Sequence, residues 1–408
     1  MDMKETIWII SELFPPDETS TAFILGEIAN VLVTKYDVKV ICGPEIYDKR
    51  RKTDPNNKFV LNPKIEVTHV KGVDLDKNTF WGKAMRFVVI SKQLFQTAKK
   101  RIKEGDKVLL VTNPAPVVAM VSNLRKKRNF ELNILVHDVF PENTKPAGLK
   151  LPSFIYNVLK KVFDNAYSEA DQLIVLGRDM KTVMEEKLVL CKARRQNQAQ
   201  QAHQPKMTII ENWADLDIIF PQESKAYSDK VVLGYAGNIG RVQGLQSILE
   251  FIDAANNMQL EFHLWGTGAE EINLKGLVAE KKLNNVFFRG AYLRSKQCEV
   301  INSCDLALVT LAEGMYGLGV PSKTYNIMAA GKPILYIGDV NSEIGLLVKE
   351  KKIGYVFETK DKEGIVSFLS SLSLERLSEF KEMGQRARLI AENEYSKEII
   401  LNKFLEAI

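Results

Sequence analysis

Short apolar runs recur along this chain and are separated by longer segments with helical spacing of their apolar residues. Runs of this length are typical of strands buried on both faces of a parallel sheet. The run at residues 6–11, for example, precedes a polar loop containing Pro15 and Pro16, and a helical pattern follows over residues 21–33. This order predicts strand-helix units joined by right-handed crossovers.

The predicted strands form two series, which are separated by a crossing near Asn212 and Trp213. The first series comprises residues 6–11, 38–41, 108–111, 132–136 and 173–176, and the second comprises residues 231–236, 260–264, 286–288, 306–311 and 334–337. A chain of 408 residues is longer than one hydrophobic core usually serves. The pattern therefore predicts an α/β protein with two Rossmann-like halves.

Two domains, a terminal helix and a loop complete the predicted organisation. We expect an N-terminal domain over residues 1–213, a C-terminal domain over residues 214–390, and an amphipathic helix within residues 391–408 that packs back on the first domain. Residues 191–206 are glutamine-rich and basic without a hydrophobic period, which favours a mobile loop.

Composition excludes several classes of protein. The formal charge of +5 is too small to indicate nucleic-acid binding, and the four cysteines and four histidines lack the spacing of a zinc site. The first residues lack the apolar stretch of a signal peptide, and no apolar run is long enough for a spanning helix. We expect a cytoplasmic protein, and any membrane contact would be peripheral, at the inner face of the membrane.

Residues 150–163 are the candidate for that contact. Lysines at 150, 160 and 161 flank one apolar helical face, which comprises Phe154, Ile155, Val158, Leu159, Val162 and Phe163. Such a face either packs in the core or lies in a lipid surface.

Two glycine-rich turns are candidates for an anion site. One lies between the strand at 306–311 and a helix-forming segment that starts at Pro321 and stops at Gly331. The other contains Gly237 and Gly240 after the strand at 231–236. Backbone amides at such turns can donate to phosphate, and Lys323 and Arg241 add positive charge. Since ligands collect at the carboxyl ends of parallel strands, both turns can face one site. The alternative is ordinary tight turns with solvated cations.

The motifs of the chain resemble those of a known family. They include YAGNIGRVQG at 235–244, HLWGTG at 263–268, PSKTYNIMAAGKPIL at 321–335 and, in the first half, VHDVFPE at 136–142. In order and spacing they resemble family 4 glycosyltransferases, in the branch that builds bacterial surface polysaccharides. The resemblance implies a GT-B fold, in which two Rossmann-like domains face each other across a cleft.

It also implies an activity: transfer of a hexosyl or N-acetylhexosaminyl group from a nucleotide-sugar to an acceptor hydroxyl, with retention and without an obligatory metal or other cofactor. The donor is expected to be a UDP-sugar, with GDP- and dTDP-sugars as alternatives. The acceptor is expected to be a glycan or a polyprenyl-diphosphate-linked molecule.

The resemblance suggests roles for individual residues. The catalytic candidates are His137, Asp138, Arg241 and Lys323. The diphosphate candidates are Gly237, Asn238, Gly240, Arg241, Gln243, Ser322, Lys323 and Thr324. The nucleoside candidates are Arg289, Tyr292 and Asn326, and the sugar candidates are Glu313, Gly314, Gly317 and Gly319.

Departures from the family pattern leave other functions open. Asn238 and Gln243 are neutral where most members have basic residues, Asn326 occupies the position of a glutamate, and Glu313 lies further upstream than expected. A catalytically silent nucleotide-binding subunit and a nucleotide-sugar epimerase are the alternatives. Dehydrogenase and P-loop motifs are absent from the sequence.

Three further features have a simpler explanation beside the functional one. The DxD sequences at 74–76 and 215–217 resemble a metal-binding motif of other glycosyltransferases, but we expect both to be incidental. The loop at 15–21 either approaches the ligand or only caps a helix.

Overall fold

The computed structural model describes residues 4–45, 54–56, 59–72, 80–196, 204–222 and 229–408. They form two compact units. The first comprises Met1–Asn143, Leu151–Ile210 and Leu401–Ile408, and the second comprises Thr144–Lys150 and Glu211–Ile400.

The first unit is built on a parallel sheet. Its strands are β1 (Thr6–Ser11), β2 (Asp37–Cys42), β3 (Glu66–His69), β4 (Lys107–Val111), β5 (Glu131–Val136), β6 (Gln172–Val175) and β7 (Lys206–Ile209). Its helices are α1 (Ser20–Leu32), α2 (Phe80–Arg101), α3 (Ala115–Arg125), α4 (Ser153–Tyr167) and α5 (Arg178–Gln196). The strand order is β3-β2-β1-β4-β5-β6-β7. The direction of winding thus reverses between β1 and β4, which is a usual position for a ligand site.

The second unit repeats this plan. Its strands are β8 (Val231–Ala236), β9 (Leu260–Trp265), β10 (Val286–Gly290), β11 (Leu306–Thr310), β12 (Ile334–Ile337) and β13 (Gly354–Phe357). Its helices are α6 (Leu245–Ala255), α7 (Glu271–Glu280), α8 (Gln297–Asn302), α9 (Lys323–Ala329), α10 (Glu343–Lys351), α11 (Lys362–Ser370) and α12 (Leu377–Glu394). The strand order is β10-β9-β8-β11-β12-β13, with parallel pairing, so winding reverses between β8 and β11.

The last helix, α13 (Lys397–Ala407), starts in the second unit, and its final residues belong to the first. Phe404 is 2% exposed, and the Tyr36 hydroxyl donates to the Ile408 carbonyl at 2.8 Å. The first compact unit thus includes the end of the chain. Its main division from the second lies at residue 210, against 213 in the sequence interpretation.

Two parts of the sequence interpretation need correction. The strands β3, β7 and β13 were not predicted. The edge strands β3 (EVTH) and β7 (KMTI) have partly exposed positions and no continuous apolar run, whereas β13 (GYVF) was missed although Tyr355, Val356 and Phe357 are consecutive. The predicted mobile loop at 191–206 is also wrong at its start, since α5 continues to Gln196 and Cys191 is buried. Residues 197–203 and the DxD sequence at 74–76 lie outside the described residues.

Candidate active site

The two glycine-rich turns of the second unit lie side by side. They follow β8 and β11, which pair in parallel with Leu233 opposite Leu306. Beyond the strands, the Ala312 amide donates to the Val242 carbonyl at 2.8 Å. The prediction that both turns lie at the same edge of one sheet is therefore confirmed.

The amides of the first turn are mostly used within the protein. The Gly237 amide donates to the Trp265 carbonyl at 2.9 Å, and the Gly240 amide donates to Oε1 of Gln243 at 3.1 Å. These two amide hydrogens are therefore engaged within the protein, and the prediction that Gly237 and Gly240 let the backbone approach a diphosphate closely stays a prediction. Gln243 instead closes the short 3-10 helix Arg241–Gln243.

Lys323 is a basic residue that lies beside the first turn. Its Nζ lies 3.5 Å from the centroid of the Tyr235 ring, and it is buried without a hydrogen-bond partner among the described residues. Burial lowers the pKa of Lys323 to about 7. A cation against a ring face gains some electrostatic stabilisation, but the ring cannot accept the three hydrogen bonds that an ammonium can donate.

The Tyr235 ring is held in place by burial and by a hydrogen bond from its hydroxyl. Tyr235 is 1% exposed, and its hydroxyl donates to the Asn238 carbonyl at 2.6 Å. Gly237 has no side chain beside the lysine: a Cβ at this position would lie 3.6 Å from the Lys323 ammonium. The Tyr235 ring at the end of β8 and the small Gly237 after it therefore position the Lys323 ammonium at the turn.

The neighbours of Lys323 differ in accessibility. Ser322 is half-buried and precedes α9, but its side chain makes no capping hydrogen bond. Thr324 is 0% exposed, and its hydroxyl also has no hydrogen-bond partner among the described residues. Thr324 Oγ1 therefore shares the buried, unpartnered condition of Lys323 Nζ, and its contact with a diphosphate stays a prediction.

Arg241 and Asn238 lie on the outer side of the first turn. Nε of Arg241 pairs with the Glu270 carboxylate at 2.9 Å, and the arginine side chain is 62% exposed. Hydrogen bonds from Asn273 and Arg241 hold the pKa of Glu270 below its usual range. An exposed pair of this kind contributes little stability, so Arg241 can exchange Glu270 for another anion.

The second turn contains the predicted sugar-binding residues. Gly314 and Gly317 adopt positive φ angles of 84° and 65°, which glycine accommodates without strain. Gly319 completes this turn and is half-buried. The Glu313 carboxylate instead pairs with Lys360 at 2.7 Å and is largely exposed. In this structure, Glu313 is thus engaged in a surface ion pair.

Asn326 has a structural partner. Its Oδ1 accepts a hydrogen bond from the Asp215 amide at 3.1 Å. The Asp215 carboxylate is buried, with Arg294 at 3.5 Å, and burial raises the pKa of Asp215. Asp217 pairs with Lys397 at 3.1 Å. The two carboxylates of the DxD sequence at 215–217 therefore have cationic neighbours within the protein, and Lys397 acts on both of them.

The predicted nucleoside contacts follow β10. The Arg289 guanidinium stacks 5.0 Å from the Phe287 ring centroid and contacts the buried His263 ring. Tyr292 is half-buried, and burial raises its pKa. Tyr292 is also close enough to Tyr235 to raise the pKa of that phenol further. Tyr292 is therefore near the Lys323 site, whereas Arg289 is engaged on the face of β9 and β10.

The candidates of the first unit follow β5. Oγ1 of Thr112 accepts hydrogen bonds from the amides of His137 and Asp138 at 3.1 and 3.2 Å. Nε2 of His137 is buried without a hydrogen-bond partner among the described residues, and burial lowers its pKa to about 4. Proton transfer by His137 near neutral pH is therefore disfavoured, and a hydrogen-bonding role is favoured. Asp138 is exposed.

In the loop at 15–21, Thr19 caps α1 by accepting from the Ala22 amide at 3.3 Å. The simpler interpretation of this loop is thus confirmed for Thr19. In the described part of the chain, no three His, Cys, Asp or Glu side chains form a group suited to a metal ion. The described helices include none with the length and apolarity needed to cross a membrane.

Comparison with known proteins decides the family. Residues 218–390 match the family model described as "Glycosyl transferases group 1". The chain is also 30% identical to "Probable glycosyltransferase WbjE" of Pseudomonas aeruginosa, over 98% of this chain and 97% of the relative. The chain belongs to the group 1 glycosyltransferases.

Further likenesses agree with this assignment. "Putative colanic acid biosynthesis glycosyl transferase WcaI" of Escherichia coli K12 is 26% identical over 48% of this chain and 47% of its own length. The structure of HepE of Anabaena in complex with UDP superposes with a TM-score of 0.64 at 15% identity, covering 99% of both chains. The predicted GT-B fold and the resemblance to polysaccharide-building family 4 glycosyltransferases are therefore confirmed.

Sequence reasoning missed several supporting residues of this glycosyltransferase. Tyr235 is one of them: it lies two residues before Gly237, and its ring lies 3.5 Å from Lys323 Nζ, a contact that spacing along the chain does not indicate. Thr112 and Glu270 left no signal either, because each acts through a contact across strands or loops that are distant in sequence.

Proposed function

We propose that this glycosyltransferase transfers a sugar from a nucleoside-diphosphate sugar to an acceptor hydroxyl with retention of configuration. The acceptor belongs to bacterial surface-polysaccharide assembly and is a glycan or a polyprenyl-diphosphate-linked sugar. The observation that carries the donor assignment is the buried Lys323 ammonium, which has no hydrogen-bond partner in the described structure.

A diphosphate oxygen is a suitable partner for this ammonium. Burying a cation without a counter-charge is costly, so the site gains most when an anion enters. A negatively charged ligand also raises the pKa of Lys323 from about 7 and keeps the lysine charged. The site is thus better suited to a charged diphosphate than to a neutral sugar.

The same group can lower the barrier to transfer. When the bond between the anomeric carbon and the diphosphate oxygen breaks, its electron pair stays on that oxygen, and negative charge grows there. The acceptor oxygen forms the new bond to the anomeric carbon, and its proton leaves with the diphosphate. Lys323 then stabilises the transition state more than the ground state.

Arg241 is proposed as the second cation. It would leave Glu270 and bind the outer diphosphate oxygens, and its planar fork suits this contact. With these two protein cations the reaction needs no metal, and added EDTA should leave the rate unchanged. Asn238, Ser322 and the glycines at 314, 317 and 319 are proposed to complete the donor site.

The first unit is proposed to bind the acceptor. His137 remains neutral at pH 7 because its pKa is lowered to about 4, and its buried Nε2 can make one hydrogen bond to a sugar hydroxyl. Asp138 is the exposed carboxylate beside it. Tyr292 is proposed to contact the nucleoside, and UDP is the first candidate because HepE was solved with UDP.

A nucleotide-sugar panel tests the proposal. We expect slow release of free nucleotide from one of the UDP-, GDP- or dTDP-sugars, with sugar of retained configuration. Lys323→Ala and Arg241→Ala should each lower turnover by about 10- to 150-fold, the equivalent of one charge-assisted hydrogen bond of about 1.5–3 kcal/mol. Normal rates in either variant would remove that residue from the mechanism. Isomerised sugar without nucleotide release would indicate an epimerase.

A silent nucleotide-binding subunit is the second candidate. Three observations favour it. The side chain of Asn326 is neutral and bonds the Asp215 amide, Glu313 is paired with Lys360, and Arg241 is paired with Glu270. In that case UDP would raise the melting temperature of the wild type, whereas none of the donors would be hydrolysed or transferred.

A further inference from the structure

The second unit contains a cavity at the edge of its sheet that is opposite to the glycine-rich turns. The cavity has a volume of about 810 Å³, and Asp305 and Pro333, which directly precede β11 and β12, line it. The turns beside Lys323 follow the other ends of the strands, so this cavity is separate from the proposed donor site. Its volume lies within the range of about 300–1,000 Å³ that is usual for small-molecule sites.

The helix α12 forms an apolar wall of the cavity. Leu377, Phe380 and Leu389 line the cavity from this helix. Phe380 is 2% exposed, whereas Leu377 and Leu389 are 37% and 57% exposed. A ligand that covers these leucines removes apolar surface from water, which favours binding of a molecule with an apolar part.

The position of this wall is fixed by contacts with the end of α9. A Cβ on Gly384 of α12 would overlap the Gly331 carbonyl, so the two backbones meet closely. Nη1 of Arg388 donates to the carbonyls of Ala329 and Ile219 at 2.6 and 3.0 Å. The cavity is therefore built by tertiary contacts that are present without a ligand, and binding does not have to order its wall.

Two charged side chains of the lining have partners within the protein. Nε of Arg388 pairs with the Glu392 carboxylate at 2.6 Å. Asp305 is half-buried, and its Oδ2 accepts a hydrogen bond from the Val232 amide at 2.8 Å. Burial raises the pKa of Asp305, and the nearby Lys332 ammonium acts in the opposite direction. These internal contacts occupy Arg388 and Asp305.

Two lysines of the lining retain their capacity to bind an anion. Lys332 is half-buried before β12, and Lys381 is exposed on α12. Across the part of the chain that the structure describes, neither lysine has a carboxylate oxygen within 4.0 Å. With Asp305 as the one carboxylate among the described lining residues, the two lysines give the cavity an excess of positive charge. An acidic group can therefore form charge-assisted hydrogen bonds here while α12 covers an apolar body.

We propose that this cavity binds a small amphipathic organic anion, with its acidic group held by Lys332 and Lys381 and its apolar body against α12. The ligand class is a carboxylate, sulfonate or phosphate monoester on an aromatic or short aliphatic body. A neutral sugar lacks both features, and a free inorganic anion lacks the apolar one. The site is additional to the proposed donor site and does not depend on it.

A matched pair of fluorescent probes tests this site in the full-length protein. Anilinonaphthalene sulfonate has one acidic group on an aromatic body, and phenylnaphthylamine is the same molecule without the sulfonate. We expect saturable binding of one sulfonate probe per cavity. Lys332→Met combined with Lys381→Met should weaken the sulfonate probe by about tenfold or more and leave the neutral probe within about twofold. Leu377→Ser combined with Leu389→Ser should weaken both probes by about threefold or more.

Two further variants locate the probe. Lys362→Met makes the same exchange at an exposed position of α11 and should bind both probes as the wild type does. Lys323→Met should also retain the affinity for the sulfonate probe, because Lys323 lies at the other edge of the sheet. Unchanged melting temperatures establish that the exposed lysine and leucine variants remain folded.

Several results would overturn this proposal. An unchanged affinity of the double lysine variant for the sulfonate probe, or an equal loss of both probes, would remove the anion assignment. A loss of the same size in Lys362→Met would indicate a general effect of surface charge. Loss of sulfonate binding in Lys323→Met would place the probe in the donor site. Probe binding is measured without sugar transfer, so failure of this proposal is distinguished from failure of the proposed function.

Discussion

At the scale of residues, Lys323 and His137 share one physical condition. Each places a titratable nitrogen in a buried position without a hydrogen-bond partner in the described structure, and burial shifts each pKa downwards. The consequences differ because the ordinary pKa values differ. The pKa of Lys323 lies near 7, so a bound anion can shift the lysine to its protonated form. The pKa of His137 lies well below 7, so the imidazole is neutral at pH 7.

The pKa of Lys323 predicts a pH-dependent affinity for UDP. Since the free lysine loses its proton above about pH 7, UDP binding must restore that proton, and the Kd should rise with pH above 7 by up to about tenfold per unit. Titration calorimetry in buffers of different ionisation enthalpy should show proton uptake at pH 8. Lys323→Met should remove both effects, and Lys362→Met, an exposed position on α11, should retain them. A pH dependence that persists in Lys323→Met would place the titration elsewhere.

The neutrality of His137 predicts how its variants behave. His137→Ala should lower kcat/KM by about 5- to 150-fold, since an unpaired buried polar group costs about 1–3 kcal/mol. His137→Asn keeps a hydrogen-bonding side chain and should lose less. Near pH 6.5, the pH profiles of kcat/KM should be the same for the wild type and His137→Asn. A titration near pH 6.5 that is present in the wild type and absent from His137→Asn would assign proton transfer to His137.

At the scale of elements, backbone bonds tie together the loops that follow β8, β9 and β10. The Gly237 amide donates to Trp265, the Ile239 amide donates to Thr267, and the Gly266 amide donates to Gly290, at 2.9, 2.9 and 2.7 Å. A Cβ on Gly266 would overlap the Gly237 carbonyl, and Gly266 has a φ of 126°. The position of the turn beside Lys323 thus depends on a glycine in the next loop.

Gly266→Ala should therefore disturb the donor site from a distance. We expect a loss of about 1–3 kcal/mol in the free energy of unfolding and weaker binding of UDP, because the turn at Gly237 must move. Gly276→Ala is the control: Gly276 lies within α7, a methyl group there would meet no atom within 4 Å, and the variant should gain about 0.5–1 kcal/mol. Chemical denaturation and UDP thermal shifts measure both variants. Unchanged UDP binding in Gly266→Ala would show that the turn tolerates the displacement.

The elements were predictable to different degrees. Central strands such as β8 and β11 are buried at nearly every position, so their apolar runs identify them in sequence. The edge strands β3 and β7 lack this signal, because one side of their ladder is unpaired and their side chains are partly exposed, whereas the edge strand β10 was predicted from its three consecutive apolar residues. The end of α5 was missed for a related reason: its last turns are polar, and the preceding helix stabilises them.

At the scale of the whole molecule, the chain returns to its first unit at the C-terminus. Phe404 and Ile408 are buried there, and Lys35 and Tyr36 donate to the carbonyls of Leu405 and Ile408. The first unit therefore depends on the final residues for part of its core.

This arrangement predicts a long-range effect on stability. Phe404→Ala should lower the stability of the first unit by about 3–5 kcal/mol, the usual cost of removing a buried phenylalanine side chain. Glu406→Ala changes an exposed position on the same helix and should stay within about 0.5 kcal/mol of wild type. Hydrogen exchange localises the effect: we expect faster exchange in peptides that contain β1 and β2. Unchanged protection there would show that the terminal segment contributes little.

The sequence by itself determined the two parallel-sheet halves, the glycine turns and the family, because burial on both faces of a strand and the geometry of tight turns restrict residue types locally. Tertiary structure alone decided which groups are available. It paired Glu313 with Lys360, used the amides of Gly237 and Gly240 internally, and left the Lys323 ammonium over Tyr235. It also left apolar side chains of α4 exposed. These outcomes depend on contacts between residues that are far apart in sequence, and the local spacing of residue types does not predict such contacts.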